Sequence, residues 1–348
     1  SSDIKPIHKE DASIQWYVLN QIKQISLKGM YLITLNKEYF RERELDLEEV
    51  FRKHPPLTEY VKSNLEETFK TLKNLRRVSK LDAPPSERIP GSCSCNKQNC
   101  SLKLYCWPEK HDKKNSVFKL FNMRSKKKFE LYDEGIDTFE KIKEEEIKGY
   151  SKIQQMQIEA TLKNKPIVDK EIINNFISQV KYPISYFDFE TYSEPIPSHI
   201  KQKPNGKVPF QYSLHIQDSL NSSVDSDDAH HKFLAEHSKD PRREIAEKML
   251  KDLPETGSII TYYQTFERGV IKDLAEFCTD LSEELLKLND RIIDLMHPFS
   301  KGGYYHPDFE GKVSLKKVLP ALCGENKRLD YNNLNIRNGG MASSTFRE

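Results

Sequence analysis

Apolar residues recur along the chain in two periods, and the change from one to the other marks out its elements. Ile14, Val18, Ile22 and Ile25 fall at helical spacing, with Tyr17 beside them and Asp11 placed to cap, so a helix is expected over 11–25. Met30 to Leu35 is a short apolar run that predicts a buried strand. Tyr60, Val61, Leu65, Phe69, Leu72 and Leu75 predict a long helix over 57–77, after which Pro84, Pro85, Pro90 and Gly91 break the pattern. Beyond a charge-rich stretch, helices are expected at 151–163 and 170–180, the second with Ile172, Ile173, Phe176, Ile177 and Val180 on one face.

The period then shortens. Residues 183–192, Pro-Ile-Ser-Tyr-Phe-Asp-Phe-Glu-Thr-Tyr, are aromatic and β-branched and read as a buried strand. Residues 210–217 alternate, with Phe210, Tyr212, Leu214 and Ile216 on one face, so a second strand is expected, antiparallel to the first. A helix at 241–252, a strand at 258–263 and a helix from Gln264 carrying Val270, Ile271, Leu274 and Phe277 follow. Asp294 ends one more apolar run, and a short helix opens at Ser314. Strands interleaved with helices in this way indicate an α/β fold.

The first strand carries the candidate chemistry. Successive strand side chains point to opposite faces, so Asp188 and Glu190 share one face, with Tyr186, and Phe187 and Phe189 take the other. Neighbouring carboxylates repel and are costly to desolvate, and a hard divalent cation held between them removes that cost. An isolated Asp-x-Glu is more often two surface charges or a capping pair; its place at the end of an apolar strand favours the metal reading. Glu267, at a strand-to-helix junction, is on its own an ordinary first-turn glutamate favoured by the helix dipole, and with the pair it is a candidate third oxygen ligand.

Composition narrows the classes. The chain has 348 residues, 31% charged and 36% hydrophobic, enough for two domains with a sizeable core. The net charge of +2 gives no global field toward nucleic acid, so such binding must come from local patches. Arg124, Lys126, Lys127 and Lys128 form one basic run, a solvated face or a set of phosphate contacts. No apolar run approaches the roughly 18 residues that cross a membrane, and the first residues lack the apolar core of a signal peptide. Cys93, Cys95, Cys100 and Cys106 crowd together, which indicates a metal or cluster site in a reducing, cytoplasmic setting: structural zinc or an iron–sulfur cluster. Cys278 and Cys323 are isolated and read as core residues.

A strand with Asp-x-Glu, an antiparallel strand, then a strand and helix carrying a further carboxylate resembles the DnaQ-like exonucleases of the ribonuclease H-type fold. That resemblance implies two magnesium or manganese ions held by Asp188, Glu190 and Glu267, the last standing where most members have Asp. The wider phrases Pro-Phe-Gln-Tyr-Ser-Leu-His-Ile and Tyr-Tyr-His-Pro-Asp-Phe-Glu-Gly-Lys-Val-Ser-Leu-Lys-Lys-Val-Leu-Pro resemble a bacterial family of unknown function. That family joins a RecB-like nuclease half, with a four-cysteine iron–sulfur site, to a DnaQ-like half. Asp11-Ala-Ser-Ile-Gln15-Trp-Tyr-Val-Leu and Leu32-Ile-Thr-Leu-Asn-Lys-Glu-Tyr continue the match, and Gln15 falls in the helix that follows the RecB-like catalytic motif. The implied organisation is the C-terminal part of a RecB-like domain with the cysteine cluster over 1–110, a helical connector over 111–180 and a DnaQ-like domain over 181–348. The implied activity is metal-dependent 3'-5' exonuclease hydrolysis of single-stranded DNA or RNA. An inactive nucleic-acid-binding or scaffold protein is the alternative. The upstream RecB-like motifs and the last DnaQ-like motif are expected outside 1–348, so the chain is expected to be an incomplete piece with weak or no activity of its own.

Overall fold

A computed structural model of the chain describes residues 4–82, 113–224, 226–236, 239–324, 335–336 and 338–348. The chain divides into two compact units, one made of residues 1–87 with 193–207 and the other of 88–192 with 208–348.

The first unit contains α1 (Pro6–Leu19), β1 (Ile33–Leu35), α2 (Leu47–Val50), β2 (Phe51–Lys53), α3 (Thr58–Ser63) and α4 (Leu65–Val78). β1 and β2 pair antiparallel, with Ile33 opposite Lys53. Its small core joins Ala12 and Trp16 of α1 to Leu57 and Val61. Three expectations change here. The strand expected to be buried over Met30 to Leu35 is short, and none of those residues is buried. The first helix ends at Leu19 rather than at 25, and it turns Ala12, Ser13 and Trp16 inward while Ile14, Val18 and Ile22 stay exposed. The helix expected over 57–77 is interrupted at Asn64, whose side chain donates back to the Tyr60 carbonyl at 2.7 Å in competition with the backbone ladder. The Arg41 guanidinium donates to the carbonyls of Pro197 at 2.9 Å and Ser198 at 2.6 Å, tying 193–207 into this unit.

The second unit runs through α5 (Ser125–Asp133), α6 (Glu144–Ile147), α7 (Lys152–Lys163), β3 (Ile167–Val168), α8 (Lys170–Ile177), β4 (Ile184–Ser193) and β5 (Lys207–Gln217). It continues with β6 (His230–Leu234), α9 (Arg242–Asp252), β7 (Ser258–Thr261), α10 (Thr265–Phe277), α11 (Ser282–Asp290) and β8 (Ile292–Asp294). It ends with α12 (His297–Ser300), β9 (Tyr304–Tyr305), α13 (Leu315–Cys323) and α14 (Gly339–Arg347). Its five-stranded sheet has the order β6-β5-β4-β7-β8. β7 lies parallel to both β4 and β8, and β6 is antiparallel to β5, so the sheet is mixed and β4 is its central strand. Gly257, at φ +87°, lets β7 begin against β4: a Cβ there would lie 2.0 Å from the Pro183 carbonyl oxygen.

The sheet is covered by a core that joins Phe187 and Phe189 of β4 and Phe210, Tyr212 and Leu214 of β5 to Ile245 and Met249 of α9, Val270, Ile271 and Leu274 of α10, and Leu285 of α11. Tyr212 is fully buried, yet its hydroxyl donates to Asp252 Oδ2 at 2.7 Å, which joins β5 to the end of α9. Residues 113–180 are not bare linker. Phe121, Ile153, Met156 and Ala160 pack against Tyr305, Phe309, Val313 and Val318, and β3 pairs antiparallel with β9. Cys278 is buried as expected, whereas Cys323 is exposed, because it falls on the outer side of the last turn of α13 and not in the core. No helix of the described residues is long and apolar enough to cross a membrane.

Candidate active site

β4, β7 and β8 run parallel, so their carboxyl ends lie along one edge of the sheet, where open α/β sheets place their sites. Asp188 and Glu190 occupy the second half of β4. The alternation expected from sequence is observed: Phe187 and Phe189 are buried, Asp188 is exposed and Glu190 is half-buried. The spacing slips after Glu190, since the next inward residue is Tyr192, three positions beyond Phe189.

The two carboxylates are electrostatically linked. Burial raises the Asp188 carboxyl above the usual carboxylate range, and burial together with the charge of Asp188 raises Glu190. Asp188 is solvent-accessible at the same time. The two facts agree for a side chain open to water in one direction and hemmed by protein in the others. On the same face, the Tyr186 hydroxyl donates to Gln217 Oε1 at 3.0 Å.

Glu267 lies where expected along the chain, in the first turn of α10 just beyond the end of β7, and is 2% exposed. Among the described residues, no group of three or more His, Cys, Asp or Glu side chains is gathered to hold a metal ion. The pair alone still suits a magnesium-type cation, which is commonly held by one or two carboxylates with water and substrate phosphate filling the remaining positions.

Asp294 has a different task. It ends β8 opposite Thr261, is 3% exposed, and accepts from the backbone N–H groups of Tyr263 at 2.9 Å, Gln264 at 3.1 Å and Met296 at 2.9 Å. The carboxylate is committed to fixing the turn from β7 into α10, and it thereby sets where Glu267 begins. Two further residues at this edge carried no local signal in the sequence. Tyr263 holds a positive φ of 73°. Gly339 opens α14 against the Glu190 carboxylate.

The remaining candidates are spread out. Gln15 is exposed on α1 and donates to Asp11 Oδ2 at 2.7 Å, an (i, i+4) bond on the helix surface. Lys126 and Lys127 are exposed on α5, and Lys127 lies 3.8 Å from Glu130. Lys128 departs from the expectation of a phosphate contact: its ammonium donates to the Phe118 carbonyl at 2.8 Å, and burial lowers its pKa to about 8. Cys93, Cys95, Cys100 and Cys106 lie outside the described residues.

Residues 185–314 match the model of a family described as Domain of unknown function (DUF2779). The matched span begins inside β4 and contains Asp188, Glu190, Glu267 and Asp294. No curated protein and no solved structure matches the chain.

Proposed function

We propose that the second unit is a metal-dependent nuclease of the 3'-5' exonuclease type, acting on single-stranded DNA or RNA. The observation that carries this reading is the Asp188–Glu190 pair: two carboxylates on one face of the central strand, near its carboxyl end, each with its pKa raised. Carboxylates placed where their charges cost free energy point to a site that a cation completes. The chain order of β4 with Asp-x-Glu, β5 beside it, then β7 and α10 with Glu267, supports the likeness to the ribonuclease H-type fold.

In this reading Asp188 and Glu190 present oxygens to the cation and orient it toward the scissile phosphate. When bound, a divalent ion supplies neutralisation of phosphate charge and a more acidic water. Glu267, through its place in the first turn of α10, lies at the same edge and adds negative charge to it. Asp294 holds that turn still. The test is hydrolysis of a labelled single-stranded oligonucleotide with magnesium or manganese, by the parent and by Asp188→Asn. The expected result is degradation by the parent and loss of at least about a hundredfold in the variant, the scale on which single electrostatic groups act. Equal cleavage by both would refute the assignment.

The second reading is a nucleic-acid-binding module without catalysis, in which Asp188 and Glu190 hold no ion. Manganese titration by calorimetry separates the two. Micromolar binding that disappears in Asp188→Asn supports the enzyme. Oligonucleotide binding without any metal binding supports the module.

A further inference from the structure

We propose that Tyr263 is a stacking platform for the unpaired terminal base of the strand whose phosphate is held at Asp188 and Glu190; this rests on the nuclease reading above.

Tyr263 is the residue at this edge whose conformation and side chain the fold does not account for. Its φ of +73° lies in the left-handed region, which disfavours residues with a Cβ and is an outlier for a bulky aromatic. Among the described residues, the other non-glycine positions with positive φ are three asparagines, Lys201 and Glu310. The conformation is imposed from outside the turn. Asp294 accepts from the N–H groups of both Tyr263 and Gln264, and the preceding Tyr262 is fixed by its hydroxyl, which donates to the Val313 carbonyl at 2.5 Å. Glycine or asparagine would take this turn with less strain. The tyrosine ring gives little packing in return, since Tyr263 is 54% exposed. Strain that the surroundings enforce on an exposed aromatic is a mark of function when it occurs beside a site.

Its location fits a base. Ile260 is paired with Tyr186 across the parallel β4–β7 ladder and β7 ends at Thr261, so Tyr263 follows two residues on, in the turn at the carboxyl end of the strand that neighbours β4. Adjacent strands are about 4.8 Å apart. An exposed ring at the carboxyl end of the neighbouring strand suits the nucleotide whose phosphate meets the carboxylates. Every base has a π-face, so recognition through stacking is tolerant of sequence and demands an unpaired end.

The test measures folding and binding on the same variants of the full chain. Binding of a fluorescein-labelled single-stranded oligothymidylate of about a dozen nucleotides is followed by anisotropy in calcium buffer without magnesium, with thermal melts alongside. Tyr263→Gly relieves the turn and removes the ring, so it is expected to melt at a higher temperature while binding weakens roughly five- to hundredfold. Tyr263→Phe is expected to bind as the parent does. Parent-like binding by Tyr263→Gly would overturn the assignment of Tyr263 and leave the reading of the carboxylate site standing. Absence of oligonucleotide binding by the parent would overturn both.

Discussion

Glu190 and Gly339 stand so close that a Cβ on Gly339 would lie 2.8 Å from Glu190 Oε2. Gly339 is the first residue of α14, whose end is fixed: the Asn338 side chain accepts from the Met341 N–H at 3.0 Å, Ala342 is in the core, and Phe346 stacks on Phe210 at 4.2 Å. The movable partner is therefore the Glu190 carboxylate. Gly339→Ala is expected to fold, with a melting temperature near that of the parent, because only the far end of a flexible side chain has to give. Glu190 would swing out of its place, and manganese affinity by calorimetry should fall about tenfold, the scale on which supporting residues act at metal sites. Unchanged affinity would remove Glu190 from the ligand set.

Asp188 and Glu190 oppose the stability of the metal-free chain. Their folded pKa values lie above the unfolded ones, so between the two the folded state holds more protons and stability falls as pH rises through that window. Above the folded pKa values the penalty is fully present. Asp188→Asn should raise stability there by on the order of 0.5–1 kcal/mol, a small amount because Asp188 is open to water and screened. That corresponds to about 1–4 °C in the melting temperature. The gain should vanish once pH drops below the unfolded carboxylate range, and a gain that persists in acid would point to another cause.

Asp294 contributes by occupying three backbone donors. Asp294→Ala leaves buried N–H groups without an acceptor and is expected to cost about 3 kcal/mol or more in denaturant unfolding. Asp294→Asn keeps one acceptor oxygen and should lie between alanine and the parent. A loss below about 1 kcal/mol for alanine would show that water replaces the carboxylate.

Lys128 should be indifferent to nucleic acid. Its ammonium is committed to the Phe118 carbonyl, and its lowered pKa means that the cost of charging it is present below about pH 8 and relieved as pH rises toward the ordinary lysine value. Lys128→Met is expected to leave oligonucleotide affinity and its salt dependence unchanged. A fall of about one in the salt slope would make it a phosphate contact after all.

What the chain alone determined is local. The alternation that buries Phe187 and Phe189 and turns out Asp188 is fixed by the pleat of a strand, so it can be read from ten consecutive residues. The strand at 210–217, the first four residues of the strand expected at 258–263 and the helix that follows Gln264 are legible for the same reason, and so is the position of Glu267 in its first turn.

What tertiary structure decided is which of these groups meet. The helical spacing of Ile14, Val18 and Ile22 holds along the chain, yet α1 docks through Ala12 and Trp16, because the face a helix buries depends on its partner. Lys126, Lys127 and Lys128 look alike in sequence, and only the turn at Phe118 singles out the third. The carboxylate of Asp294 reaching back to Tyr263, and Gly339 meeting Glu190, join residues far apart in the chain through hydrogen bonding and close packing that no local period encodes.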